Sequence, residues 1–271
     1  MGEIVDGVTG GGMVRDGETC SPPRRLVVLT NYARPWNIPQ QIAYCQALSP
    51  TPELVLIDNS DGPSGSNLPA MDLSGVTVLR SGRNLGPTYR FSFAASRTDD
   101  VVLCLDDDIL LSTAQIETIL RRQAREPDRV HGVWGEDIQR CFNRITFKTN
   151  LWGRNREVDI LNRLYVFTPA QARHAQALAR ALGFESLQDV GPCEDIILSF
   201  AGARKPACHD LGAIENCSTS DDPEIACWRR QGFYSHRRNI VQRLMSLRDV
   251  GAVAPSMLYR CPSFLLPRWG V

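Results

Sequence analysis

Four short runs made almost wholly of apolar residues, LVVL at 26–29, ELVLI at 53–57, VTVL at 76–79 and VVLCL at 101–105, recur through the first 105 residues. A run of this kind has no polar face, so it must be covered on both sides, as strands between two helical layers are. Helical stretches separate and follow the runs: about 37–48, where Pro39 is tolerated in a first turn, about 86–97, and 112–125. The last begins with a capping box, Ser112 with Gln115, and sets Ile116, Ile119 and Leu120 on one face. Strand, helix, strand, strand, helix, strand, helix predicts an α/β chain on a mostly parallel, doubly wound sheet.

Beyond residue 129 the alternation loosens. Strands are expected at 130–134 and 163–167, and helices at 169–182, 194–203 and 233–250. This irregular half reads as a lobe added to the sheet, with no linker between them. Residues 1–25, rich in Gly and ending in a Pro pair, lack the apolar content to pack and are expected to be a flexible tail. The remainder, 26–271, reads as one domain, divided into 26–135 and 136–271.

Composition narrows the partners. Thirty Lys+Arg balance thirty Asp+Glu, which removes the broad positive field of a protein that holds nucleic acid mainly through phosphates. Nine scattered cysteines include no C-x-x-C pair of a zinc or redox motif. Cys104, inside an apolar run, acts as a small hydrophobe. A reducing cytoplasm is the simplest compartment, with one disulfide among Cys208, Cys217 and Cys227 left open. No stretch reaches the ~18 apolar residues of a membrane span, and the first 25 residues lack the apolar core of a signal peptide.

The sharpest chemical feature is Asp106-Asp107-Asp108, directly after the most apolar run. Three adjacent carboxylates repel one another where a buried strand emerges, and a cation offsets that cost. Oxygen-only ligands suit Mg²⁺ or Mn²⁺, which take one or two carboxylates plus the oxygens of a bound diphosphate. The carboxyl end of a parallel strand is also where open α/β sheets bind ligands. A second acidic pair, Glu194-Asp195, opens an apolar helix, where the helix dipole alone favours acids.

The stretch VVLCLDDDILLSTAQIETILRRQAREPDRVHGVWGEDI resembles the metal-binding segment of the exostosin-like glycosyltransferases. LVVLTNYARP, SGRNLGPTYRFSFA, CEDIILSF and CWRRQGFYSHRRNIVQRL follow that family's order over about residues 26–249. The resemblance implies a GT-A-like, Rossmann-like doubly wound mixed sheet with an appended acceptor-side lobe, 26–135 binding the nucleotide sugar and 136–271 serving acceptor and catalysis. It also implies roles. Thr30, Asn31, Arg34 and Asn59 would border uracil and ribose; Asn84 and Arg90 would contact the diphosphate sugar; Asp106 and Asp107 would hold ribose or sugar hydroxyls. Asp108 would coordinate Mn²⁺ or Mg²⁺, Asp195 would face the anomeric carbon, and Arg237 or its neighbour Arg238 would clamp the diphosphate.

The expected activity is metal-dependent transfer of a hexose or N-acetylhexosamine from a UDP-sugar to an acceptor hydroxyl on a glycan or small molecule, with the family's retention giving an α-linkage. Two departures bear on detail. Glu194-Asp195 stands where the family has an Asp pair, and Leu85-Gly86-Pro87 replaces a more basic loop. Three other readings compete: transfer to a hydroxymethylated base in DNA, nucleotidyl transfer, and a non-catalytic nucleotide-sugar-binding module. Nucleotidyl transfer needs a basic Gly-rich loop after the first strand, and Thr30-Asn31-Tyr32-Ala33-Arg34-Pro35 is not one.

Overall fold

The computed structural model describes residues 22–60, 66–141, 144–222 and 224–249. Most of the expected tail, residues 1–21, therefore lies outside the described residues. In the first half, strands β1 (Arg25–Asn31), β2 (Glu53–Asp58), β3 (Val76–Arg80) and β4 (Val101–Leu105) alternate with helices α1 (Ile38–Gln46) and α2 (Tyr89–Ala95). A two-residue strand β5 (Ile109–Leu110) and helix α3 (Thr113–Arg125) complete it. The second half adds short strands β6 (His131–Gly132), β9 (Arg156–Glu157), β10 (Ile160–Asn162), β11 (Leu164–Phe167), β12 (Ala207–Cys208) and β13 (Glu215–Asn216). It also holds the long hairpin strands β7 (Trp134–Cys141) and β8 (Arg144–Leu151), and helices α4 (Pro169–Ala181), α5 (Glu194–Ser199) and α6 (Phe233–Asp249).

The main sheet has the order β3-β2-β1-β4-β11-β6-β12-β9. Its first four strands are parallel, and β11 then runs antiparallel to β4. This is the expected α/β class, a doubly wound mixed sheet with helices on both faces. The runs in β1, β2 and β4 are covered on both faces and send alternate residues to opposite cores, whereas the run at 76–79, expected to be buried alike, forms the edge strand β3 and is only partly covered. Leu26, Val28, Val55, Ile57, Val102 and Cys104 pack toward α2, α4, α5 and α6. Val27, Leu29, Leu54, Leu56, Leu103 and Leu105 pack toward α1 and α3. Burying each Val or Leu contributes roughly 1.5–3 kcal/mol, so the runs hold β1, β2 and β4 in the middle of the layers.

Local signals mark the helix boundaries. Ser112 and Gln115 form the capping box of α3, and Thr168 with Gln171 forms another at α4. The helix expected over 86–97 is shorter, Tyr89–Ala95, because Gly86 sits at φ +75 and Pro87 follows it. The strand expected over 130–134 divides at Val133: β6 joins the main sheet, whereas β7 leaves it to form a three-stranded antiparallel sheet, β10-β7-β8. That small sheet is the part of the second half that stands apart. Strands β11, β6, β12 and β9 are threaded into the main sheet beside β4, and β13 pairs with β5 in a two-stranded sheet.

Candidate functional site

The turn after β4 is pinned from three sides. Asn37 Nδ2 donates to the carbonyl of Asp107 at 2.7 Å, and Gln41 Nε2 donates to those of Asp106 and Ile109 at 2.8 and 2.9 Å. The N–H of Cys217, just past β13, donates to the carbonyl of Asp108 at 3.0 Å. With its backbone fixed, each Asp side chain has a defined direction. Asp107 turns inward: its Oδ2 accepts the N–H groups of Tyr32, Ala33 and Arg34 at 3.0 to 3.1 Å, and its Oδ1 accepts Arg34 Nη1 at 2.8 Å. Arg34 also donates to Thr219 Oγ1 and to the Thr219 carbonyl. Although burial opposes the charge, Asp107 and Asp108 hold the Arg34 guanidinium above its usual range.

Both oxygens of Asp107 and all three guanidinium nitrogens of Arg34 are thus bonded within the protein. Together they tie the loop after β1 to the turn after β4.

Asp106 and Asp108 are the carboxylates this turn leaves exposed to a ligand. Arg90 Nη1 donates to Asp106 Oδ1. Oδ1 of Asp108 is buried with no hydrogen-bond partner, an anionic oxygen whose desolvation only a cation or a donor offsets. Among the described residues no three His, Cys, Asp or Glu side chains gather around one point. Such a site does not suit zinc, which takes three or four protein ligands. One or two carboxylate oxygens do suit Mg²⁺ or Mn²⁺, whose remaining positions go to phosphate oxygens and water.

Arg90 links this turn to α5. Its guanidinium, 2% exposed, lies against the rings of Phe91 and Tyr165, and its Nη2 is 3.9 Å from Glu194 Oε1. Burial, and next the negative charge of Asp195, push the Glu194 carboxyl up to about 7. Beside it, Arg237 Nη1 donates to Asp195 Oδ1 and Oδ2, and Arg237 Nη2 donates to Glu136 Oε2 at 2.9 Å. Burial also raises the Glu136 carboxyl, against the pull of Arg237. The Arg237 guanidinium itself lies between the Phe147 and Phe233 rings, 5.6 and 5.2 Å away. Four acids, Asp106, Glu194, Asp195 and Glu136, and two buried arginines, Arg90 and Arg237, thus form one network that begins at Asp106 and ends at Glu136.

The other expected residues divide. Thr30 and Asn31 lie at the carboxyl end of β1, and Thr30 Oγ1 and Asn31 Oδ1 are buried without partners, while Asn31 Nδ2 donates to Asp58 and Asn67. The Asn59 amide bonds the Gly86 carbonyl and the Leu85 N–H and so shapes the loop after β3. Asn84 is exposed in that loop and accepts from the Gly86 N–H. Arg237, expected to clamp a diphosphate, bonds the carboxylates of Asp195 and Glu136. Arg238 is exposed on α6 and stands outside the network. Glu136 had no assigned role; the quoted segment WGEDI contained it, but no local signal marks a strand residue whose partner lies 101 positions away. Asn37, Gln41 and Thr219 were missed for the same reason.

Cys208, Cys217 and Cys227 carry free thiols, so none of the expected alternatives of a disulfide among them is formed. No helix among the described residues is long and apolar enough to cross a membrane. No protein-family model and no curated protein sequence matches the chain. Among solved structures it is similar to S. aureus TarS 1–349, at 13% identity over 84% of this chain and 74% of that one, with a TM-score of 0.47. It is also similar to GalNAc-T7 with UDP, GalNAc and Mn²⁺, at 12% identity over 72% of this chain and 44% of that one, with a TM-score of 0.49. At these identities the likeness extends to the course of the chain and no further.

Proposed function

We propose that the chain is a glycosyltransferase that moves a hexose or N-acetylhexosamine from a UDP-sugar to an acceptor hydroxyl with retention, using a divalent metal. The observation that carries the reading is the buried, unpartnered Oδ1 of Asp108 at the carboxyl end of a parallel strand, in a turn whose backbone carbonyls are already occupied. The resemblance to exostosin-like enzymes supplies the donor class. In the same reading, residues 26–135 serve the donor and 136–271 the acceptor side of one domain.

Asp108, with Asp106 beside it, would hold Mn²⁺ or Mg²⁺, which neutralises charge on the leaving diphosphate when bound. Arg90 holds Asp106 in place on that side of the site. Asp195 offers a carboxylate to the anomeric carbon, which becomes oxocarbenium-like as the bond to the diphosphate breaks. Arg237, anchored by Glu136, holds Asp195 in one rotamer. Glu194, whose proton is retained to about pH 7, keeps a further negative charge out of the cluster below that pH.

A thermal-shift series with UDP, Mn²⁺ and a chelator tests the reading. UDP is expected to raise the melting temperature only with Mn²⁺ present, and Asp108→Ala to abolish the rise. Asp195→Asn is expected to keep the rise while losing sugar transfer, with the anomeric configuration of the wild-type product read by NMR. Stabilisation by UDP that ignores the chelator, or that survives Asp108→Ala, overturns the metal assignment.

A further inference from the structure

Residues 226–238 connect the site to the surface in a few tight turns. Arg229 N–H bonds the Ala226 carbonyl, Arg230 N–H that of Cys227, and Phe233 N–H that of Arg230, leading straight into α6. The inner end of this segment is at the acid network, where the Cys227 thiol, raised by burial, also feels the charges of Glu194 and Arg90. Its outer end carries two aromatic rings. Trp228 is 38% exposed with the Arg229 guanidinium 4.2 Å from its centroid, and Tyr234 is 38% exposed. Tyr234 stands edge-on to Phe233 at 5.2 Å and tilts toward Phe147 at 6.4 Å. Since Phe233 and Phe147 flank Arg237, side chains in contact run unbroken from an exposed ring to Asp195.

Three exposed arginines flank these rings in the chain. Arg229, Arg230 and Arg238 are exposed, the last four residues after Tyr234 and so on the same helix face. Among the described residues none of the three has a carboxylate within ion-pair distance. Elsewhere exposed arginines such as Arg121 and Arg204 do find one. An apolar ring with a polar edge suits a ligand that is apolar on one side and wet on the other. The exposed charged groups beside the rings are forked cationic donors, which select an anion in preference to neutral hydroxyls.

We propose that Trp228 and Tyr234, with Arg229, Arg230 and Arg238, form the acceptor subsite, and that the acceptor is a phosphorylated saccharide. This rests on the glycosyl-transfer reading above. The sugar ring lies on the aromatic side chains and its phosphate on the guanidinium groups. Three forks exceed what the two oxygens of one carboxylate engage, whereas a phosphate monoester presents three strong acceptor oxygens.

The test is a binding titration without donor or metal, read by tryptophan fluorescence, with Trp228→Phe identifying the part of the signal that belongs to Trp228. Glucose 6-phosphate is the probe, against glucose, glucuronate and a short single-stranded oligonucleotide. Glucose 6-phosphate is expected to bind at least tenfold more tightly than glucose or glucuronate, and the Arg229→Ala/Arg230→Ala variant to lose at least tenfold of that affinity. The same variant is expected to keep its Mn²⁺-dependent stabilisation by UDP. Equal binding of glucose and its phosphate, or tighter binding of glucuronate or of the oligonucleotide, overturns the assignment. Failure of UDP and Mn²⁺ to stabilise the wild type is a separate result and counts against the donor reading alone.

Discussion

Arg237 donates through one nitrogen, Nη1, to both carboxylate oxygens of Asp195, at 2.9 and 2.7 Å, and through Nη2 to Glu136. All three residues are more than 90% buried, so the guanidinium is the principal neighbour that offsets the desolvation of two acids. Removing it leaves both uncompensated. Arg237→Gln is expected to cost roughly 3–5 kcal/mol of stability, read from a urea midpoint. Arg237→Lys supplies a point charge in place of a fork and is expected to recover only part of that loss. A variant that unfolds at the wild-type midpoint contradicts the network as described.

Asp107 makes a different prediction from its two neighbours. Its carboxylate gathers three successive N–H groups and the Arg34 guanidinium, and hydrogen bonds to a charged group are worth about 1.5–3 kcal/mol each. Asp107→Ala is therefore expected to destabilise the chain by roughly 3 kcal/mol or more, and to speed hydrogen exchange of amides 32–34. Asp108→Ala, which removes an oxygen without a partner, is expected to leave exchange at those amides unchanged. Equal effects of the two substitutions would erase the distinction between a carboxylate that builds the turn and one that the turn offers.

How much of this was legible depends on sequence separation. The run VVLCL and the acids after it announced β4 and its ligand-facing end, because burial on both faces needs no distant partner to be recognised. The capping box at Ser112 did the same for α3, whereas the equivalent box at Thr168 and Gln171 for α4 was not read. The β7–β8 hairpin was not read: Trp134–Cys141 carries three charged residues and no period-two pattern, although in Arg144–Leu151 the alternation of Ile145, Phe147 and Leu151 with polar neighbours was a signal that could have found the second strand. Asp106, Asp107 and Asp108 are chemically identical in sequence; what separates them is that Tyr32, Ala33 and Arg34 reach one carboxylate and not the others.

Glu194 makes stability depend on pH in the opposite sense from an ordinary ion-paired acid. Its pKa rises from 4.5 in the unfolded chain to about 7 in the fold, chiefly through burial. Its favourable contribution is therefore full below 4.5 and is lost as pH rises through 7. Glu194→Gln removes the ionisation while keeping the shape. The variant is expected to be more stable than the wild type at pH 8, by on the order of 1–3 kcal/mol, with the advantage shrinking toward pH 5. Melting curves of the two proteins across that range decide it, and parallel curves would deny Glu194 its raised pKa.

A buried histidine relay beneath α3 gives the acid limb. Arg122 Nη1 lies 2.8 Å from His209 Nδ1, His209 Nε2 lies 2.8 Å from His131 Nδ1, and His131 Nε2 lies 2.8 Å from the Glu126 carbonyl. Arg122 can only donate, so His209 Nδ1 accepts and its Nε2 carries the proton; His131 Nδ1 then accepts, and its Nε2–H closes the chain on the carbonyl. Every nitrogen in the relay is used, and a further proton on His209 would face the Arg122 guanidinium. Burial, with the charges of His131, Arg122 and Arg129, brings His209 down to about 3, and burial lowers His131 as well. For a base with a depressed pKa the contribution is present above the unfolded value of 6.5 and is lost as pH falls. Stability is expected to decline by up to about 1.4 kcal/mol per pH unit for each ring below 6.5, an effect that His209→Gln, which does not titrate, reduces. Long-range ¹H–¹⁵N spectra at pH 5.5 check the relay directly: both rings should appear neutral and protonated at Nε2, and an imidazolium signal from His209 at that pH would break the chain of donors.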